Sequence, residues 1–304
     1  MNYLSIIVRI LVIAPLFFLI EYPFDKNPDY YNYYLNYINH IDRFDLGYTV
    51  LSVTMRDFLA MGFDSHWYAL IVIELVLLFF VYNKVPVLIL AIPNLILMSQ
   101  FLYGTQIRYA IASLVFLLAL NENNKPTKLL ITASILHYGI AIPSLLYGGL
   151  TKKITEYLKG NRIKLLFSII VLSFVVLLLS FNIFTMIENT RFSYFTPDSE
   201  FTSAKSLSSI IYVLVYWLAL LVITQRNNVE FDKLLLFSML LITSILATSS
   251  IAVLSGRLLL LFFMIEPFIA YRLIQSNENV ILKLLPTILM TSKAIFMISS
   301  MDFY

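Results

Sequence analysis

Long apolar runs separated by short polar joints dominate this chain. A membrane span takes about 20 mostly apolar residues at ~1.5 Å each. Such runs fall at roughly 3–20, 67–82, 85–102, 107–121, 165–183, 208–224, 233–250, 257–274 and 281–300. They predict an all-α integral membrane protein, a polytopic helix bundle with about nine full spans, forming a single domain over 1–304. The first run, MNYLSIIVRILVIAPLFFLIE, has no small-residue cleavage site and passes straight into EYPFDKNPDYY, so it reads as a retained helix.

The charges between the runs orient the chain. Residues 21–66 carry Glu21, Asp25, Asp29, Asp42, Asp45, Asp57 and Asp64 against Lys26, Arg43 and Arg56, an acidic balance that places this loop outside and the N-terminus inside. Lys84, Lys125 and Lys128 then fall inside. The most basic joint, TKKITEYLKGNRIK (151–164), would face outside if 128–150 crossed the membrane once. A broken hairpin over 128–150, entering and leaving on one side, removes the conflict. LLITASILH and YGIAIPSLLYGGL form its halves, and His137, Gly139 and Pro143 surround its break. Such irregular backbone is tolerated at depth only where protein buries it or water reaches it. A continuous span is the alternative.

Composition supports the membrane class: 60% hydrophobic residues, 13% charged and a mean hydropathy of +0.85 lie far from the soluble average. Cysteine is absent, which excludes disulfides, thiolate metal sites and cysteine nucleophiles. The three histidines, His40, His66 and His137, lack metal-ligand spacing, so neither a metal nor another cofactor is expected. No phosphate-binding glycine loop, dinucleotide fingerprint or zinc-peptidase motif occurs, and the scattered basic residues give no nucleic-acid signature.

Candidate chemistry lies toward the outer side of this topology. Arg108 and Arg257 each open an apolar helix there, one after YGTQI and one after TSSIAVLSG. Each alone reads equally as an arginine snorkelling to lipid phosphate. Two on one side, each near a helix N-terminus, suit a phosphate or diphosphate. His137 is a proton acceptor or hydrogen-bonding group at the hairpin break, or simply a satisfied core histidine. Tyr30, Tyr33, Tyr34, Tyr37, Ile38 and Ile41 follow helical spacing after Pro28, with Asp29 in the first turn. That face reads as a membrane-interface belt, a sugar-binding surface, or both. Glu74 and Glu266 read as buried structural carboxylates paired with neighbours, Lys293 as a snorkelling lysine, and Arg191 as a substrate contact or plain surface.

PDYYNYYLNYI followed by DLGYTVLS, then YGTQIRYAIA, ILHYGIAIPSLL and SGRLLLLFFMIEPFI stand in the order found in the EpsG-type branch of the Wzy-like polysaccharide polymerases. The resemblance covers about residues 28–270. The chain departs from the pattern twice, with Asp45 where glutamate is usual and Tyr109 where glutamine is favoured. The resemblance implies a GT-C-like fold, metal-independent glycosyl transfer and a multi-pass protein of the bacterial inner membrane with an outward-facing site. The implied reaction moves a growing glycan from undecaprenyl diphosphate onto a new lipid-linked repeat unit. Arg108 and Arg257 would hold the diphosphate in place of a metal. His137, Asp45 and Asp29 would be the candidate bases, and Tyr30, Tyr33, Tyr48 and Arg191 the glycan contacts. Expected partners are the lipid-linked oligosaccharide, membrane lipid and a chain-length regulator protein, with no nucleic acid. The rival readings are a flippase or ligase of the same lipid-linked glycan, or a membrane O-acyltransferase acting on surface sugars.

Overall fold

The computed structural model of the chain describes residues 3–21, 27, 29–121, 126–150, 171, 207–226, 233–249, 252–276 and 279–299. Every regular element among them is helical, in agreement with the all-α expectation. They divide into two compact units, Met1–Ser144 with Ala294–Tyr304, and Leu145–Lys293.

In the first unit, α1 (Tyr3–Ile13) and α2 (Leu16–Ile20) together make one span-length apolar stretch. The polar segment that follows folds as α3 (Tyr30–Ile38) and α4 (Leu46–Val53), the latter extended by a π-turn, Thr54–Phe58. Then come α5 (Phe63–Val81), α6 (Val85–Met98) with a π-turn at Ser99–Tyr103, α7 (Ile107–Asn121) and α8 (Pro126–Leu136). Among the described residues, four stretches are long and apolar enough to cross a membrane: Tyr3–Ile20, Phe63–Val81, Val85–Tyr103 and Val253–Gln275. The expected runs 107–121, 208–224 and 233–250 are met by shorter apolar helices, and of 165–183 only residue 171 is among the described residues.

The middle of this unit is α7. It is apolar on every side, so burial is its stable environment; from Tyr109 to Leu117 every residue is buried, between α5 and α8. At 15 residues it is about 22 Å long, short of the ~30 Å hydrocarbon core. The other end of α5 is closed by side chains: Arg9 of α1 donates to the Phe79 carbonyl and lies over the Phe79 ring, and Asn121 donates to the Val81 carbonyl at 2.9 Å. These bonds satisfy carbonyls that a helix end leaves without partners.

The expected break in 128–150 is present. Helix α8 stops at Leu136, His137 is extended (φ −151°, ψ 117°), and a 3-10 turn over Tyr138–Ile140 leads into α9 (Ala141–Leu145). The chain doubles back there, because Ser144 Oγ donates to the Leu130 carbonyl at 3.3 Å.

In the second unit, α10 (Leu207–Arg226), α11 (Lys233–Ala247) and α12 (Ala252–Ser276) pack in sequence, and α13 (Val280–Ser299) begins there. Here one expectation fails. Lys293 does not snorkel to an interface; it is 8% exposed and donates to Glu266 Oε2 at 2.5 Å. Its ammonium lies 3.5 Å from the Phe263 ring centroid, and Tyr212 donates to the other Glu266 oxygen. A charge removed from water is tolerated when paired and bonded in this way, so the helix neighbours outweigh the reach of the lysine stem. Glu266 thus has the partner expected of it. Glu74 does not: both its oxygens are buried and without a partner among the described residues.

Candidate active site

Helix α4 begins at Asp45, whose backbone is extended at the N-cap (φ −60°, ψ 145°) while its side chain makes no capping bond. The carboxylate is turned elsewhere. Oδ2 accepts from Arg108 Nη1 at 2.5 Å, and Oδ1 accepts from the backbone N–H of Tyr138 at 3.1 Å. One buried carboxylate therefore joins the start of α4, the mouth of α7 and the turn after α8.

Two glycines make that junction possible. A Cβ on Gly47 would lie 3.0 Å from the Ile135 carbonyl oxygen and from the Leu136 N and Cα, all backbone atoms that have little room to move. The bare Cα allows α4 to approach α8 closely enough for Asp45 to reach Tyr138. A Cβ on Gly139 would lie 3.0 Å from His137 Nδ1 and Cε1. Its absence lets the Gly139 N–H donate to His137 Nδ1 at 2.9 Å. The imidazole is 5% exposed and packs edge-on to Tyr109, with ring centroids 5.1 Å apart. Where the resembled pattern favours glutamine, this chain therefore has a ring that supports the histidine.

Arg108 is enclosed by aromatic rings. Its guanidinium carbon lies 3.9 Å from the Phe44 centroid, 5.5 Å from Tyr33 and 5.7 Å from Tyr48. Nε donates to Tyr33 Oη at 3.2 Å. Ring faces attract the cation and exclude water, so the guanidinium plane is preset. Among the described residues Nη2 meets no acceptor, and the side chain keeps 18% of its surface exposed. An arginine has five N–H donors, and the protein engages two of them here, leaving donors for an incoming anion. Burial pushes the Tyr33 phenol up, against the opposing pull of Arg108, and burial likewise pushes Tyr48 up. Both phenols are thus kept neutral around the cation.

A second tier supports the first. Tyr48 Oη lies 3.3 Å from His66 Nε2, and the His66 ring stacks on Tyr37 at 4.4 Å. The Tyr37 carbonyl accepts from Arg56, which also bonds Asp57 at 2.8 Å and Asp42 at 3.4 Å. This closes the turn between α3 and α4, where His40 and Asp42 have φ of 53° and 49°. Arg56 also holds the Asp57 carboxyl below its usual range. At the start of α3, Asn27 Oδ1 accepts from the N–H groups of Asp29 and Tyr30, and its Nδ2 donates to the Gly104 carbonyl at 2.7 Å, tying the start of α3 to YGTQIR.

The structure thus brings Asp45, Arg108, His137, Tyr33 and Tyr48 together. Asp29 is the N-cap of α3, one position ahead of the first turn expected for it. The tyrosine face divides: Tyr33 and Tyr48, each 4% exposed, line the guanidinium, whereas Tyr31 and Tyr34 point outward. Tyr30 is half-buried and donates to Asp64 at 3.2 Å. Arg257 is half-buried on α12, in the second unit. Arg191 lies outside the described residues. Phe44 and Asn27 were not singled out from the sequence, His66 was weighed only as a metal ligand, and Gly47 stood only within the DLGYTVLS motif. Asn27 alone carried a local signal, as a capping residue ahead of Pro28 and the tyrosine helix.

The fold and site describe an all-α membrane protein with a buried arginine–carboxylate clamp between the start of α4 and the start of α7. The family model for EpsG matches residues 6–304, and the chain belongs to the EpsG family. That family is one of polysaccharide-polymerase-type membrane proteins, associated with glycosyltransferase-like activity. No curated protein and no solved structure matches the chain.

Proposed function

We propose that this protein polymerises a surface polysaccharide by transferring a growing glycan from undecaprenyl diphosphate to a new lipid-linked repeat unit. The transfer takes place at the outer face of a bacterial inner membrane. The observation that carries the reading is Arg108, preset by Asp45 and three rings with donors to spare. An enzyme without a metal needs a cation fixed where the diphosphate gains charge, because a preorganised donor costs no reorganisation during the reaction. Arg257 is proposed as a second diphosphate-binding cation on its place in the sequence alone, at the start of an apolar run.

The carboxylates divide the work. Asp45 is the positioning residue: its two oxygens hold Arg108 and the hairpin turn. Asp29, one helical turn before Tyr33, takes the proton of the acceptor hydroxyl. Tyr30, with the exposed Tyr31 and Tyr34, offers rings and hydroxyls to the sugars. Tyr33 and Tyr48 serve the guanidinium instead. The hairpin enters and leaves on the inner side, which keeps its His137 turn at the outer half of the bilayer.

The test is a gel of surface glycan from cells lacking the gene, complemented with wild type or Arg108→Ala. Glycan stopping at one repeat unit in the null and the variant supports a polymerase. Loss of even the single unit favours a flippase or ligase. An unchanged ladder with altered acylation favours an acyltransferase.

A further inference from the structure

Helix α4 and its π-turn present two unlike groups to α5. Tyr48 and Met55 stand seven positions apart, about two turns, and so share one face of that segment. One side chain from α5 meets both: His66 Nε2 lies 3.3 Å from Tyr48 Oη, and His66 Nδ1 lies 3.1 Å from Met55 Sδ. A thioether sulfur carries no hydrogen, so the bond at Nδ1 needs its hydrogen on the imidazole. The ring is fully buried and stacked on Tyr37, and among the described residues no carboxylate bonds it. A second hydrogen would therefore make an unpaired buried charge. With Nδ1 protonated, Nε2 keeps a lone pair, and the bond to Tyr48 runs from the phenol to the histidine. Ser52 Oγ, the other polar group beside that phenol, is buried and makes no hydrogen bond. The Tyr48 ring in turn stands 5.7 Å from the Arg108 guanidinium carbon and 5.7 Å from the Tyr33 ring, whose hydroxyl accepts from Arg108 Nε.

We propose that His66 is a positioning residue for the Arg108 site: the Met55 sulfur keeps the imidazole hydrogen on Nδ1, and the bare Nε2 accepts the Tyr48 hydroxyl, which fixes the Tyr48 ring against the guanidinium. The role in catalysis rests on the polymerase reading above. His66 acts through Tyr48 alone and exchanges no proton. A phenol without that acceptor can swing, and the guanidinium then loses the firm placement of one of its three rings. Loose placement of a charge-stabilising group slows the chemical step more than it weakens substrate binding, because the group must be in place as the charge develops.

Two measurements on the full chain in lipid nanodiscs decide the matter. The first is nitrogen NMR with ¹⁵N-histidine at neutral pH, the His66 signals being assigned by their loss in His66→Gln. Hydrogen on Nδ1 and a bare Nε2 are expected, and Met55→Leu, which removes the sulfur, should bring in the opposite tautomer. Hydrogen on Nε2 in wild type, or a pattern that Met55→Leu leaves unchanged, would overturn the proposal. This readout needs no turnover, so it judges the tautomer even if wild type makes no polymer, a result that would count against the polymerase reading instead. The second measures polymer formation from purified lipid-linked repeat units. His66→Leu removes the acceptor and Tyr48→Phe removes the donor, and each should lower kcat about 10-fold with KM changed far less. Because both remove the same bond, the double variant should be no slower than the slower single variant. His66→Gln, whose amide oxygen can accept from the phenol, should stay within about 3-fold of wild type. Rate losses that multiply in the double variant, or a glutamine variant as slow as leucine at equal melting temperature, would sink the positioning role. A Tyr48→Phe enzyme at the wild-type rate would do so too, whether or not His66→Leu folds.

Discussion

Arg108 and Asp45 stand 63 residues apart in the chain, and their side chains meet at 2.5 Å. The pair is not a surface ion pair of negligible value. It lies among aromatic rings, and each partner has a further bond, Arg108 to Tyr33 and Asp45 to the Tyr138 N–H. Arg108→Lys keeps the charge but loses the planar fork. Lysine cannot bond Asp45 and Tyr33 and still present donors to a diphosphate. We expect polymer formation by Arg108→Lys to fall about 10²-fold, and Arg108→Ala to be lower still. Asp45→Asn should raise KM and lower kcat together by loosening the guanidinium. Assay of purified variants at equal abundance checks this, and an Asp45→Asn enzyme with wild-type kinetics would remove Asp45 from the clamp.

Gly47→Ala tests the closeness of α4 and α8. The added carbon would stand 3.0 Å from three backbone atoms of residues 135 and 136. Overpacking of this kind costs about 1–3 kcal/mol. The expected outcome is a lower melting temperature together with lost activity, because the shift separates Asp45 from the hairpin turn. Gly62→Ala and Gly149→Ala, where a Cβ meets nothing within 4 Å, are the controls and should melt like wild type.

Tyr30 gives a pH signature. Burial first, and then the Asp64 carboxylate beside it, pushes its phenol from 10.0 up to about 12. The folded protein holds this proton more tightly than the unfolded chain does. The resulting stabilisation is complete below about pH 10 and disappears as pH rises through about 12. Ultraviolet titration of wild type minus Tyr30→Phe should isolate one phenol ionising near 12. Asp64→Asn should move it only part of the way back, since burial is the larger cause. A difference curve centred at 10 would show that neither effect operates.

Lys293 and Glu266 reverse the expectation for a snorkelling lysine. Lys293→Met leaves the Glu266 carboxylate without its cation in a fully buried place. Breaking one side of such a pair costs about 3–5 kcal/mol. Thermal unfolding in detergent should show a clear loss for Lys293→Met. Most of that loss should be recovered in the double variant Glu266→Gln/Lys293→Met, where no charge remains to be solvated. A silent Lys293→Met would mean that the ammonium and the carboxylate do not depend on each other.

The class of this protein was written in its hydropathy: apolar runs and thin polar joints point to a helical membrane protein by solvation alone. The break near His137 was legible too, because Gly139, Pro143 and the basic loop beyond 150 disagree with a continuous crossing, and α8 does stop at Leu136. Asp45, Arg108 and His137 were recognisable as chemistry from residue type and order.

Their roles were not recognisable, because roles depend on partners. Nothing in the chain between residues 45 and 108 announces that one carboxylate will bridge a guanidinium and a hairpin N–H, since helical periodicity relates only near neighbours. The same holds for Lys293, whose stem is long enough for the interface but whose ammonium finds Glu266 27 residues earlier. Tyr33 and Tyr34 differ by one position on α3, and packing alone sends the first to Arg108 and the second outward. Local chemistry set the menu of elements and candidate groups, and long-range packing assigned each charge its counterpart, because burial makes an unpaired charge too costly to keep.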